Sequence, residues 1–275
     1  MSKKQKDPVV QQVLDKFQQV YYQTLTFAKN PQSAINGLLV MGDAGSGKSH
    51  TVKQALRDAK VQNNVEYIKG GTITAPAMFV KLFLNRDPHR IVILDDIDIL
   101  HNSEVRSKII PMLLGSLEEG NNRTVTWSRA SKNALMEQFD VPMTFEFNGK
   151  LILITNYVKK DIQEKLKSMT DAFATRFNDV ECIFSREQKF SYTKYLIDKE
   201  DMLGSKCAVH SFSNKGKKYK GYPQPVIDET VKFLNKNYDN FENQHIVPRV
   251  AIKVADTIMY HRGHQQKIML KGLVR

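Results

Sequence analysis

The 275-residue chain is poor in several features that would have set its class. It has two cysteines, Cys182 and Cys207, too few for the disulfide frameworks that hold small secreted domains together. Its cysteines and histidines never gather into a four-ligand zinc set, since Cys207 with His210 and His261 with His264 are isolated pairs. No apolar run approaches the roughly 20 residues a membrane-spanning helix needs. The opening residues, MSKKQKDP, lack the apolar centre of a secretion signal. A soluble cytoplasmic protein with no membrane partner is expected. Acidic residues are also in deficit: 29 Asp and Glu against 41 Lys and Arg leave a formal net charge of +12. Such a surface attracts polyanions, nucleic acid first among them, although a positive charge also serves solubility alone.

A hydrophobic content of 41% suffices for one α/β core with a small second domain. The most informative stretch is Gly37 to Thr51, GLLVMGDAGSGKSHT. A short apolar run leads into a glycine-rich turn and then a Lys-Ser pair, which reads as strand, loop and helix. Gly42, Gly47, Lys48 and Ser49 fit the phosphate-binding pattern G-x-x-x-x-G-K-[ST]. Asp43, Ala44, Gly45 and Ser46 fill its variable positions, and His50 follows it. In this pattern backbone N–H groups approach phosphate oxygens that side chains would otherwise block. Lys48 would reach the β- and γ-phosphates and the Ser49 hydroxyl would hold Mg²⁺, with the helix N-terminus aimed at the anion.

In chain order, residues 9 to 29 place Val10, Val13, Leu14, Phe17, Val20, Tyr21 and Leu25 at helical spacing. VEYI at 65–68 predicts a second strand and 77–84 a helix. Arg90 to Asp98, RIVILDDID, is an apolar run closed by carboxylates, as expected of a central parallel strand covered on both faces. Asp95 lies where it would fix the water ligands of Mg²⁺, and Asp96 where a base or water-orienting acid would sit. A strand-end cap is the plainer use of either aspartate. A helix is predicted over 103–119, a strand at 123–127 and another at 150–156, KLILITN. The last would put Asn156 at the same sheet edge as Asp96, where α/β proteins bind ligands; a capping Asn is the alternative. A helix over 161–177 then leads past Arg176 to a fifth strand at 180–184, and 185–198 is helical. The basic, glycine-containing stretch 203–222 reads as a domain boundary or mobile loop. Residues 225–240 and 247–260 are helical, and the basic tail is a docking segment or a frayed end.

Taken together, GDAGSGKS, IVILDD, LILITN, the Arg in ATRF and the helical end resemble the AAA+ ATPases over most of residues 35–260. The resemblance implies an α/β fold, a parallel-sheet P-loop NTPase core with a small C-terminal helical lid. The corresponding domains are an N-terminal helix and linker at 1–36, a core at 37–198, and a helical lid with a basic tail at 199–275. It implies ATP and Mg²⁺ as cofactors, with the first two motifs as Walker A and Walker B. Asn156 becomes sensor 1, Arg176 the arginine finger that reaches a neighbouring subunit, and Arg249, in HIVPRVAIKVAD, sensor 2. Arg176 and Arg249 also suit ordinary surface ion pairs, Arg176 with Asp179 for example. Asp96 stands where many relatives have Glu, which resembles replication initiators and suggests slow, switch-like hydrolysis. The loop KGGTIT has no aromatic residue of the kind protein unfoldases use. The pattern is similar to small AAA+ proteins of bacteriophages and mobile elements, which would place it in the host cytoplasm.

An insertion at 121–149 holds two alternating runs, RTVTW and MTFEF, that could pair as a hairpin. Its position matches the insertion that projects into the ring channel of some hexameric helicases. Arg123, Trp127, Arg129 and Lys132 would then offer charge and a stacking ring to DNA; an edge hairpin with a buried Trp is the alternative. The leading expectation is an oligomeric ATPase, a homo-oligomer such as a hexameric ring, acting on DNA or on a DNA-bound complex that includes a replication protein. Helicase, helicase-loader and clamp-loader types all fit. A protein-remodelling or assembly chaperone, or a nucleotide-gated scaffold with slow turnover, remains the alternative.

Overall fold

The computed structural model of the protein describes residues 7–71, 73–97, 105–118, 123–128, 131–166, 170–207, 211–214, 217–241 and 246–274. The chain divides into two compact units. The larger comprises Lys16–Gly42 and Lys48–Ile183, and the smaller Met1–Asp15, Asp43–Gly47 and Phe184–Arg275.

Helix α1 (Pro8–Lys29) buries one stripe, Val10, Val13, Phe17, Val20, Thr24 and Phe27, at the three- and four-residue spacing of an amphipathic helix. The elements of the larger unit follow: β1 (Gly37–Gly42), α2 (Lys48–Asp58), β2 (Val65–Lys69), α3 (Ala75–Leu84), β3 (Ile91–Asp95), α4 (Ile110–Ser116), β4 (Thr124–Thr126), α5 (Ala134–Gln138), β5 (Thr144–Glu146), β6 (Lys150–Ile154), α6 (Lys159–Leu166), α7 (Thr170–Arg176) and β7 (Asn178–Cys182). Five of the strands form one parallel sheet in the order β2-β3-β6-β1-β7. The three inner strands, GLLVMG, IVILD and KLILI, are buried at every residue, which explains their unbroken apolar runs. The edge strands β2 and β7 are partly exposed.

The placement of β6 between β1 and β3 positions the candidate site. In its register Val40, Ile154 and Asp95 stand at one level, so the residues after them leave the sheet side by side. β6 also anchors the helix that opens the chain. Lys150, at its start, is 1% exposed. Its ammonium donates to the Phe27 carbonyl at 2.9 Å and the Asn30 carbonyl at 2.5 Å, at the end of α1 where helical carbonyls lack partners. Burial, and then the charge of Arg123, lowers the Lys150 pKa to about 8.

Two expectations change. The predicted 103–119 helix, within the described residues, is a π-helical turn at Val105–Ile109 followed by α4. Over the described part of the predicted 161–177 helix the chain is helical in α6 and α7, residues 167–169 lying outside the described residues. The stretch 203–222 holds a two-stranded antiparallel ladder, β8 (Ser211–Asn214) with β9 (Lys217–Lys220). The smaller unit also contains α8 (Arg186–Asp198), α9 (Gln224–Lys236), α10 (Pro248–Tyr260) and α11 (Gly263–Gly272) around a core that includes Leu203, Tyr222, Leu234, Val254 and Ile258. Ser185 and Gln188 start α8 with a reciprocal capping box. The tail is thus helical as far as Gly272.

The two runs of the insertion do pair, β4 antiparallel to β5 with Val125 opposite Phe145 and α5 between them in the chain, but the face that carries Val125 and Phe145 is buried. Trp127 is 4% exposed, its ring centroid 5.4 Å from that of Phe79, and its indole N–H donates to the Ser131 carbonyl. Arg123 is 8% exposed and donates to the Gly149 carbonyl at 2.9 Å. The apolar cover of Phe79 and Phe145 takes the ring inward, so Trp127 and Arg123 are withdrawn from the expected DNA contacts. Lys132 is partly exposed. Arg129 lies outside the described residues.

Two outcomes follow from these burials. Trp127→Ala should lower unfolding stability by about 3–5 kcal/mol, as buried aromatic truncations do, and leave the salt dependence of any DNA binding unchanged; urea unfolding beside a DNA titration at several salt concentrations measures both. For Lys150, the folded pKa lies below the unfolded value of 10.5. The unfolded chain therefore binds the extra proton between pH 8 and 10.5, and stability rises with pH through that window. The stability difference between wild type and Lys150→Met should shift in favour of wild type from pH 7.5 to 10; a pH-independent difference would contradict the depressed pKa.

Candidate functional site

β1 delivers the chain to the phosphate-type loop through Gly42, whose φ is +127°. A Cβ there would stand 2.1 Å from the carbonyl oxygen of Cys182 on the neighbouring strand. Gly42 is therefore demanded by the sheet as well as by the loop. Gly45 (φ +71°) sits beside α10, where an added Cβ would meet Val247 at 3.3 Å and Arg249 at 3.7 Å. Arg249 itself is exposed in the first turn of α10, and Ala44 and His50 are also exposed.

Asp43 has a role that its place in the motif does not predict. Its carboxylate accepts the Phe184 N–H at 3.2 Å and pairs with the Lys189 ammonium at 3.0 Å, Lys189 being 5% exposed. Loop residue Asp43 thereby ties Asp43–Gly47 to α8. Ser46 is 5% exposed and its Oγ has no hydrogen-bond partner, so the loop keeps one buried polar atom for an incoming oxygen.

In the larger unit, Lys48 is 4% exposed at the start of α2. Its ammonium donates to the Gly42 carbonyl at 2.7 Å and to Asn156 Oδ1 at 3.2 Å. The Asn156 amide nitrogen in turn donates to Asp96 Oδ1 at 2.6 Å. An amide offers an acceptor to the cation and a donor to the carboxylate at once, which a carboxylate in its place could not do. Asp96 has φ +61°, an uncommon conformation that Asp tolerates better than most residues. Its N–H still donates to the Ile154 carbonyl, so the turn begins directly after the last rung of the β3–β6 ladder.

Asp95 faces other partners. It is 3% exposed; Oδ1 accepts from the Ser49 hydroxyl at 2.9 Å and Oδ2 from the Tyr67 hydroxyl. Burial, then the hydrogen bond and charge of Asp95, holds the Tyr67 pKa well above the ordinary tyrosine value, so the phenol remains a neutral donor. Neither the Tyr67 contact nor the anchoring role of Asp43 leaves a signal in the sequence. Tyr67 shares the face of Ile93 and Asp95 once β2 pairs with β3, a pairing that alternation alone does not reveal.

The sheet thus gathers Lys48, Ser49, Asp95, Asp96 and Asn156. Arg176 enters no hydrogen bond with them. Its guanidinium meets Glu118 Oε1 at 3.1 Å, and Asp179, its expected partner, lies 3.4 Å from Lys159 instead. Within the larger unit the residues present fit a nucleotide with a hard divalent ion: a buried cation for phosphate and a hydroxyl–carboxylate pair of the kind Mg²⁺ prefers. Among the described residues no group of three or more His, Cys, Asp or Glu could hold a metal by itself, and no helix is long and apolar enough to cross a membrane.

A parallel sheet of order 5-1-4-3-2, with Lys-Ser after its first strand, Asp-Asp closing its third and Asn after its fourth, defines a P-loop nucleoside triphosphatase. Residues 38–178 match the family model of the ATPase family associated with various cellular activities (AAA), and the chain belongs to that family of ATPases. A curated relative, the "Uncharacterized 36.7 kDa protein in nrdC-mobD intergenic region" of Enterobacteria phage T4, is 30% identical over 123 residues, 44% of this chain and 36% of the phage protein. The match thus spans about a third of that relative's length. Among solved structures, the Thermotoga maritima RuvB Holliday junction branch migration motor aligns over 94% of this chain and 67% of its own at 14% identity, with TM-score 0.43. Domain III of the Thermotoga maritima replication initiation protein DnaA aligns over 94% and 92% at 17% identity, with TM-score 0.45.

Asp43→Ala removes the carboxylate beside a buried ammonium, and such losses cost about 3–5 kcal/mol. The variant should unfold at lower urea and bind ATP more weakly, whereas Asp43→Asn, which keeps an acceptor for the Phe184 N–H, should lose less of both. Equal stability of Asp43→Ala and wild type would contradict the anchoring role.

Proposed function

We propose that this ATPase binds ATP with Mg²⁺ and hydrolyses it at the interfaces of a homo-oligomer. The observation that carries the reading is the bridge Lys48–Asn156–Asp96 beside the separate pair Ser49–Asp95. Loop residues Gly42 to Ser49 would hold the phosphates, with Lys48 supplying positive charge to them. Ser49 and Asp95 would hold Mg²⁺, which when bound supplies charge neutralisation on the phosphates. Asp96, oriented by Asn156, accepts the proton of the attacking water. Asn156 is tied to Lys48 and Asp96 together, so a change at the γ-phosphate reaches the carboxylate through one side chain. Arg249 borders the loop as a sensor of its occupant. Arg176 stabilises the transition state of a neighbouring subunit once it exchanges Glu118 for phosphate.

The +12 charge supports action on DNA or a DNA-bound complex. With Trp127 and Arg123 buried, a stacking hairpin no longer contributes to that reading. The second reading, a protein-remodelling or assembly factor with slow nucleotide-gated turnover as its limiting form, then stands beside the first. Oligomer mass and ATPase rate, each with and without single- and double-stranded DNA, separate these. DNA stimulation supports the first reading; its absence at low salt favours the second.

Lys48→Ala should abolish productive ATP binding. Arg176→Ala should bind ATP yet lower assembled turnover by about 10³–10⁵. Mixing the two inactive proteins should restore activity if the arginine acts between chains, and silence despite verified co-assembly would refute that role.

A further inference from the structure

The Ser49–Asp95 pair leaves a question that Ser49 alone does not answer, namely what holds the carboxylate in place. The terminal torsion of an aspartate is broad, and the group needs a second partner if one oxygen is to stay aimed at a metal. That partner lies on the edge strand. Tyr67 pairs with Ile93 and Lys69 with Asp95 in the β2–β3 register, so Tyr67 and Asp95 share one face of the sheet. The phenol donates to Asp95 Oδ2, leaving Oδ1 to Ser49 at 2.9 Å. The ring is itself braced: the Lys53 ammonium stands 4.1 Å from its centroid. Lys53 lies on α2 one turn after Ser49. One helix therefore touches the carboxylate directly and steadies the group that orients it.

We propose that Tyr67 is a positioning residue for the divalent metal, its hydroxyl fixing the Asp95 carboxylate so that its other oxygen faces the site at Ser49. The inference rests on the reading of Ser49 and Asp95 as the Mg²⁺ site and adds a residue to it. Tyr67 makes no contact with substrate in this role. It sets how much Mg²⁺ the protein needs, rather than how well it binds nucleotide without metal.

Tyr67→Phe keeps the ring under Lys53 and removes only the donor. The test titrates Mg²⁺ against binding of a fluorescent ATP analogue, with the same titration in EDTA and a melting curve beside it. The Mg²⁺ concentration for half-maximal tight binding should rise about 10-fold, at the lower end of the effect of losing an outer partner of a metal ligand. Affinity in EDTA should be unchanged. In an Asp95→Asn background the same change should have a clearly smaller effect, because Tyr67 acts mainly through that carboxylate, the Ser49 hydroxyl being its other polar neighbour there. An unaltered Mg²⁺ requirement overturns the proposal, as does an equal loss of binding with and without metal, which would mark Tyr67 as structural. Should Tyr67→Phe fail to fold, Lys53→Met carries the test, with a smaller shift in the same direction; no shift overturns it. Ser49→Ala run in parallel separates the two levels. If it leaves the Mg²⁺ dependence untouched, the metal site is misplaced and this inference falls with it. If it abolishes that dependence while Tyr67→Phe does not alter it, only the positioning role falls.

Discussion

A lysine ammonium that is 4% exposed must find acceptors or lose its charge, and the arrangement of this site follows from how Lys48 finds them. One acceptor, the Gly42 carbonyl, is local to the loop. Another, Asn156, is 108 residues away and becomes available because β6 lies between β1 and β3. The same amide then reaches Asp96. Strand order converts three separate sequence motifs into one hydrogen-bonded series.

The loop is held from two directions. At its beginning, Gly42 lies so close to the Cys182 carbonyl that no side chain fits. Further along, the Asp43 carboxylate holds the buried Lys189 ammonium and the Phe184 N–H. Each contact fixes its own part of the loop backbone, and chain so ordered has less entropy to lose on binding a ligand. Asp96, at φ +61°, is a second place where the backbone takes an uncommon conformation, directly at a candidate catalytic carboxylate.

The β4–β5 ladder shows how far pattern carries. Alternation in RTVTW and MTFEF correctly implied two paired strands. It did not say which of the alternating faces had cover. Phe79 and Phe145 supply that cover and take Trp127 into the core, while the Gly149 carbonyl takes Arg123. Aromatic and basic residues in one insertion are thus no measure of a nucleic-acid surface until their burial is known.

What the sequence determined by itself was local: the glycines where φ must be positive, the Lys-Ser start of α2, the apolar runs of the inner strands, and the polar residues that end them. Each follows from the backbone or from burial on both faces, constraints that act over a few neighbouring residues. Tertiary structure alone decided that Asn156 stands between Lys48 and Asp96, that Tyr67 shares a face with Asp95, that Arg176 meets Glu118 rather than Asp179, and that Asp43 meets Lys189. These partners lie between 28 and 146 residues apart in the chain, from Tyr67 to Asp95 and from Asp43 to Lys189. Which of many chemically suitable side chains meets each of them depends on strand order and register, and a hydrogen bond or ion pair leaves no periodicity in the sequence.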